Sequence, residues 1–213
     1  MSDDVNKLIG QLVDDHQPVT PEHHPLLRMI PLLFGVIAYM ACVTLLIGLR
    51  ADWQVLLSES AIHQIELLLS FAVSVAGMLA AGWLRIPYAS NQRLFVGLAL
   101  GTGALFLGFQ LFRLISEGIN FATLQALIDC YIDSLLLATL PTIALVMNQR
   151  SGSSTHPYLS ALMGTFAIAG FAWIGLRLTC GYDLAGHNAI VQLSPFMLLG
   201  VVMGLFAKRL YRW

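Results

Sequence analysis

Six stretches of this chain run long enough without charge, or nearly so, to cross a lipid bilayer as helices. Three are bounded by charges, between Arg28 and Arg50, Glu66 and Arg85, and Arg93 and Arg113; three more lie at about 126–147, 158–176 and 188–207. About 20 apolar residues cover the hydrocarbon core, and an open chain satisfies its own backbone there only as a helix. The sequence therefore predicts an all-α, polytopic integral membrane protein with six transmembrane helices in three successive helical hairpins. Composition agrees, since 57% of the 213 residues are hydrophobic and 11% charged. The fourth stretch carries Asp129 and Asp133 near its start, which places both in its entering turns, buried near an interface.

Lys and Arg in short connections are retained on the cytoplasmic side. One side collects Lys7, Arg28, Arg85, Arg93, Arg150, Lys208, Arg209 and Arg212, the other Arg50, Arg113 and Arg177. Both termini are accordingly expected in the cytoplasm. Trp53 and Tyr182 fall at the outer boundary and Trp83, Tyr88, Tyr158, Tyr211 and Trp213 at the inner one, as interfacial aromatics do. The three outer arginines each close an odd-numbered helix, and Asn-Gln-Arg recurs at 91–93 and 148–150. Either a threefold repeat of hairpins or ordinary helix and loop lengths produce this pattern.

The chain divides into an N-terminal segment, 1–27, and a transmembrane domain, 28–213. The segment is acidic at its start and reaches its apolar run only after Arg28, so it is not a signal peptide and is expected to persist. Val5, Leu8, Ile9, Leu12 and Val13 form one helical stripe, with Ser2 as N-cap and Asp3 and Asp4 in the first turn. With Lys7 facing Asp3, Asp4, Asp14 and Asp15, this short amphipathic helix suits a basic protein surface better than anionic lipid. The other reading folds it back on the inner loops with Arg85, Arg93 and Arg150.

Eleven Lys and Arg against twelve Asp and Glu build no basic face, which argues against direct nucleic-acid binding. Three cysteines are too few for a disulfide scaffold or an iron–sulfur cluster. Nucleophile elbows, phosphate loops and zinc-protease signatures are missing from the sequence, so enzymatic activity is not expected. Gly101 and Gly103, with Gly97 and Gly108, read as helix-packing positions. His63 reads as interfacial, and a bis-histidine haem site is not expected.

Cys42 lies within the first helix and reads as a packing residue. Cys130, near the outer end of the fourth helix, and Cys180, in the loop after the fifth, face one compartment. They suit a structural disulfide, a redox switch or a soft-metal clamp, and the residues alone do not choose. His187 shares the loop with Cys180, while Asp129 and Asp133 flank Cys130 on the helix. These are the candidate additional ligands for a zinc- or cadmium-type ion; no cofactor is obligatory. For the two aspartates an ion pair with Arg113 or Arg177 is the favoured reading.

The opening Leu8-Ile9-Gly10-Gln11-Leu12-Val13-Asp14-Asp15-His16-Gln17-Pro18-Val19, followed by Pro25 and Arg28, resembles that of the NrsF-type membrane anti-sigma factors. The resemblance covers nearly the whole chain, and the family's cysteine pair corresponds to Cys130 and Cys180. His187 matches a histidine after the second cysteine; a further family histidine has Gln192 in its place here. The resemblance implies a negative regulator in the bacterial inner membrane that sequesters an extracytoplasmic-function sigma factor. The docking residues would be Val5, Leu8, Ile9, Leu12, Val13, Asp14 and Asp15, and release would follow heavy-metal or oxidative stress at the cysteine pair. The main rival is a small transporter or channel using Asp129, Asp133 and Glu66 as intramembrane carboxylates. A thiol–disulfide enzyme is disfavoured because no Cys-x-x-Cys is present. The oligomeric state is not legible.

Overall fold

A computed structural model describes residues 5, 10, 25–86, 91–150, 152 and 154–211. Among them the secondary structure is helical throughout, with six helices long and apolar enough to cross a membrane. Helix α1 spans Pro25–Ile47, α2 Trp53–Glu59, α3 Ala61–Leu84, α4 Gln92–Glu117, α5 Leu124–Arg150 and α6 Pro157–Thr179. A π-helical turn, His187–Gln192, then leads into α7, Ser194–Leu205, and a short α8, Ala207–Leu210. The predicted all-α six-span architecture is thus present, with the sixth span opening as a π-helix. Val5 and Gly10 are helical and exposed. The rest of the proposed docking set, Leu8, Ile9, Leu12, Val13, Asp14 and Asp15, lies outside the described residues.

Local chemistry explains where the helices stop. Gly48 and Gly118 adopt φ of 104° and 82°, a left-handed conformation that glycine accepts without a Cβ clash, and each ends its helix with an N–H to the carbonyl four residues back. Ser60 caps α3, its hydroxyl accepting from the His63 N–H at 3.3 Å. Proline opens α6 at Pro157, where its missing N–H leaves no helical bond unmade.

Helix α6 is the axis of the bundle: 72% of its most apolar window is buried, against 22% for α1 and α4. Its most extensive partner is α3. The two backbones approach through glycines, because a Cβ on Gly77 would stand 2.7 Å from the Ala167 nitrogen and one on Gly170 2.5 Å from the Ser70 carbonyl oxygen. Within lipid, where apolar burial no longer drives helices together, such backbone approach supplies much of the packing energy. The expectation for the α4 glycines holds only at Gly103, whose missing Cβ makes room for the Phe166 ring; Gly97, Gly101 and Gly108 face open space.

Helix α4 packs on α3, and α5 packs on α6. Successive spans α4 and α5 therefore do not form a packed pair, and the three sequential hairpins are not three equivalent packing units. Met40 and Val43 of α1, Leu137 of α5, and Phe171 and Leu176 of α6 share the main apolar core. Cys42 is exposed on α1 rather than packed inside, since neighbouring Val43 takes the inward position.

Candidate functional site

Residues 48–60, 118–123 and 180–186 gather at one end of the bundle, which also holds Arg50, Arg113 and Arg177. The end of α1 is tied there by the Arg50 N–H donating to the Leu178 carbonyl at 3.0 Å. Two adjoining polar clusters occupy this end.

The first contains Cys130, Cys180 and His187. Cys130 faces inward from the second turn of α5, with Sγ 3.0 Å from Sγ of Cys180, and both thiols are free and buried. Cys180 closes α6, its N–H donating to the Leu176 carbonyl at 2.8 Å. His187 Nε2 lies 3.3 Å from Cys130 Sγ and 3.6 Å from Cys180 Sγ, so the three donor atoms fall within 4.8 Å of one another. The His187 backbone is seated on the loop after α4, its N–H donating to the Asn120 carbonyl at 3.0 Å. Gly186 makes that seat accessible: a Cβ there would stand 2.6 Å from the Asn120 oxygen and 2.7 Å from its nitrogen.

Hydrogen bonding from Cys130 and, to a smaller extent, from His187 holds the Cys180 thiol below its ordinary range, against the opposing effect of burial. The thiolate is the form that ligates metals and attacks oxidants. Two sulfurs and one imidazole nitrogen within reach of one point are a donor set for thiophilic ions such as zinc or cadmium. The donors fit such an ion, with Cys130, Cys180 and His187 as the residues that would hold it.

Asp129 and Asp133 do not join this cluster. Asp129 is exposed on α5 and accepts from Gln125 Nε2 at 2.9 Å, while Asp133 is only half-buried. Among the described residues neither pairs with Arg113 or Arg177. The reason is that both arginines face the interior of the bundle and are taken by other carboxylates.

Those carboxylates form the second cluster. Glu66, fully buried on α3, places Oε2 3.3 Å from Arg113 Nη1 and 3.0 Å from Arg177 Nε, the latter an ion pair lying off the line of a hydrogen bond. Its Oε1 accepts from Gln110 Nε2 at 2.6 Å. Arg113 also reaches Glu117, at 2.9 Å. Arg177 Nη2 donates to Asp183 at 2.6 Å and lies 3.2 Å from His63 Nδ1. His63, in the first turn of α3, is thus buried against a guanidinium. Burial alone would push the Asp183 carboxyl up; the charge and hydrogen bond of Arg177, with the charge of Arg113, overcome it and hold it below the usual carboxylate range. A Glu66 carboxylate compensated by two guanidiniums has none of the freedom an ion path asks of its carboxylates.

Sequence reasoning missed this network as a unit. Its signal was present in the outer arginines, for a charge placed within a span needs a partner at its own depth, and Glu66 enters the second span one turn after His63.

A family model described as NrsF, negative regulator of sigma F, matches residues 12–213. No curated protein and no solved structure matches.

Proposed function

The chain belongs to the NrsF family of negative regulators of sigma F, and from that premise we propose that it senses metal or oxidative stress at Cys130 and Cys180. The family makes it a regulatory protein whose partner is a sigma factor, and the six spans make it a multi-pass membrane protein. In this reading the partner is of the extracytoplasmic-function type, held at the inner membrane by the stripe Val5, Leu8, Ile9, Leu12 and Val13 with Asp14 and Asp15. The stripe is apolar and its flanks acidic, which suits the basic surface of a DNA-binding protein.

The observation that carries the sensing reading is the convergence of Cys130, Cys180 and His187 within 4.8 Å. A thiophilic ion would draw on two thiolates and the imidazole. Oxidation would instead join the two sulfurs, release their two protons and pass two electrons to the oxidant. Either event changes the contacts between α5, the end of α6 and the π-helix. Because α6 packs against α1, α3, α5 and α7, a shift at its end reaches every helix that borders the N-terminal segment's attachment at α1. A signal acts only if its two states bind the sigma factor with different free energies.

The test is co-purification from the native host. Full-length protein should retain a sigma factor, and a form lacking residues 1–27 should not. Cadmium or diamide should release it from the wild type and fail to release it from Cys130→Ser or Cys180→Ser. Release unchanged in both variants would reject the cysteine mechanism, and absence of any retained sigma factor would reject the docking role.

A further inference from the structure

The two polar clusters meet at a single atom. Asp183 Oδ1 accepts from Arg177 Nη2 at 2.6 Å and from Asn188 Nδ2 at 3.3 Å, and lies 3.5 Å from Arg113 Nη2. Asp183 sits in the loop between Cys180 and His187, which together supply two of the three donors of the candidate centre. We infer that Asp183 is a positioning residue of that centre, an inference that rests on the metal and redox reading above.

The argument concerns what else holds the loop. Gly181, Tyr182 and Asp183 are exposed, Leu184 is half-buried and full burial resumes at Ala185. Tyr182 lies against the His187 ring, centroids 5.9 Å apart, and Asp183, its side chain partly exposed, ties the stretch to the arginines of α4 and α6. What it grips is rigid: Arg177 is fully buried one turn before Cys180 on α6 and is itself anchored by Glu66. Through Arg113 the same oxygen reaches α4, whose following loop seats His187 by way of Asn120. Through Asn188 it reaches the residue next to His187 in the π-helix. One carboxylate thus references Cys180, His187 and the loop beneath them to a common frame. Donors of a metal or disulfide centre need such a frame: groups bonded directly to a ligand typically change metal affinity about 10- to 100-fold when removed, and Asp183, one bond further out, is expected at the lower end of that range.

The experiment uses full-length protein in mild detergent, with cadmium as the probe and the ultraviolet thiolate-to-cadmium absorption as the signal. Asp183→Asn should keep the absorption band and its stoichiometry, because the donors are unchanged, while raising Kd about 10-fold. Asp183→Glu should recover part of the loss. In parallel, diamide should join Cys130 to Cys180 more slowly in Asp183→Asn than in the wild type, read from the peptide masses. An Asp183→Asn protein matching the wild type in both affinity and disulfide rate would overturn the inference. If the wild type shows no cadmium band, the metal reading fails on its own, and the disulfide rate decides the role of Asp183. Should Asp183→Asn not fold, Asn188→Ser loosens the same anchor from the π-helix side and is expected to weaken cadmium and slow the disulfide likewise; unchanged values there would also overturn it.

Discussion

Arg177 and Glu66 form a fully buried ion pair across the α3–α6 contact, with Nε 3.0 Å from Oε2 and no exposure of either side chain. Removing one partner of a buried pair typically costs about 3–5 kcal/mol; with Asp183 and Glu117 still pairing the two guanidiniums, the loss of Glu66 is expected at the lower end. Glu66→Gln leaves Arg113 and Arg177 facing each other across a neutral amide. It is expected to lower the thermal unfolding midpoint in detergent sharply, and Glu66→Gln combined with Arg177→Met should lose less than the sum of the two single changes. Additive losses would show that the pair is not coupled.

The α3–α6 crossing makes an equally specific demand. A Cβ on Gly170 would stand 2.3 Å from Ser74 Oγ and 2.5 Å from the Ser70 carbonyl oxygen, whereas one on Gly101 meets nothing within 4 Å. Gly170→Ala should therefore destabilise the protein by about 1–3 kcal/mol, as overpacking does, and Gly101→Ala should leave the midpoint in place. Comparing the two by thermal unfolding checks that α6 is the axis.

The pH behaviour of the thiols follows from their contacts. Hydrogen bonds donated to the Cys180 sulfur stabilise its charged form, so its pKa lies below the ordinary thiol value of about 8.5. A pH titration of ultraviolet thiolate absorbance on full-length protein should show one thiolate forming below that value. The step should vanish in Cys180→Ser and move to higher pH in Cys130→Ala, which removes the leading donor. For folding, the depressed pKa contributes stability above the unfolded-state pKa, lost as pH falls through the folded one. A Cys130→Ala titration that coincides with the wild type would contradict the assignment.

Topology has its own test. From the basic residues Arg85, Arg93, Arg150, Lys208 and Arg209, one end of the bundle is expected in the cytoplasm and the cysteine end outside. Fusions of a periplasm-active reporter should be silent after residues 86–91 and after Arg209, and active after Gly118 and Tyr182. The reverse pattern would put the thiols in a reducing compartment and remove oxidation as their signal.

The linear order of residues was enough to determine the six spans, because their length and apolarity answer to the bilayer alone and no partner helix is needed to recognise them. It was also enough to pair Cys130 with Cys180 and His187 as residues of one compartment, since their places at helix ends set their depth. The helix packing was decided elsewhere. That α3 crosses α6 backbone to backbone while α5 packs along α6 depends on which faces carry Gly77, Gly170, Gly164 and Gly175, and apolar runs in a membrane show no amphipathic stripe to reveal those faces. The fate of the charges was likewise decided only in three dimensions. Asp129 and Asp133 share a depth with Arg113 and Arg177, yet rotation about α5 turns Asp129 outward while α3 delivers Glu66 to both guanidiniums. Depth is a property of position along one helix, legible in sequence; facing is a relation between helices, and it exists only once they pack.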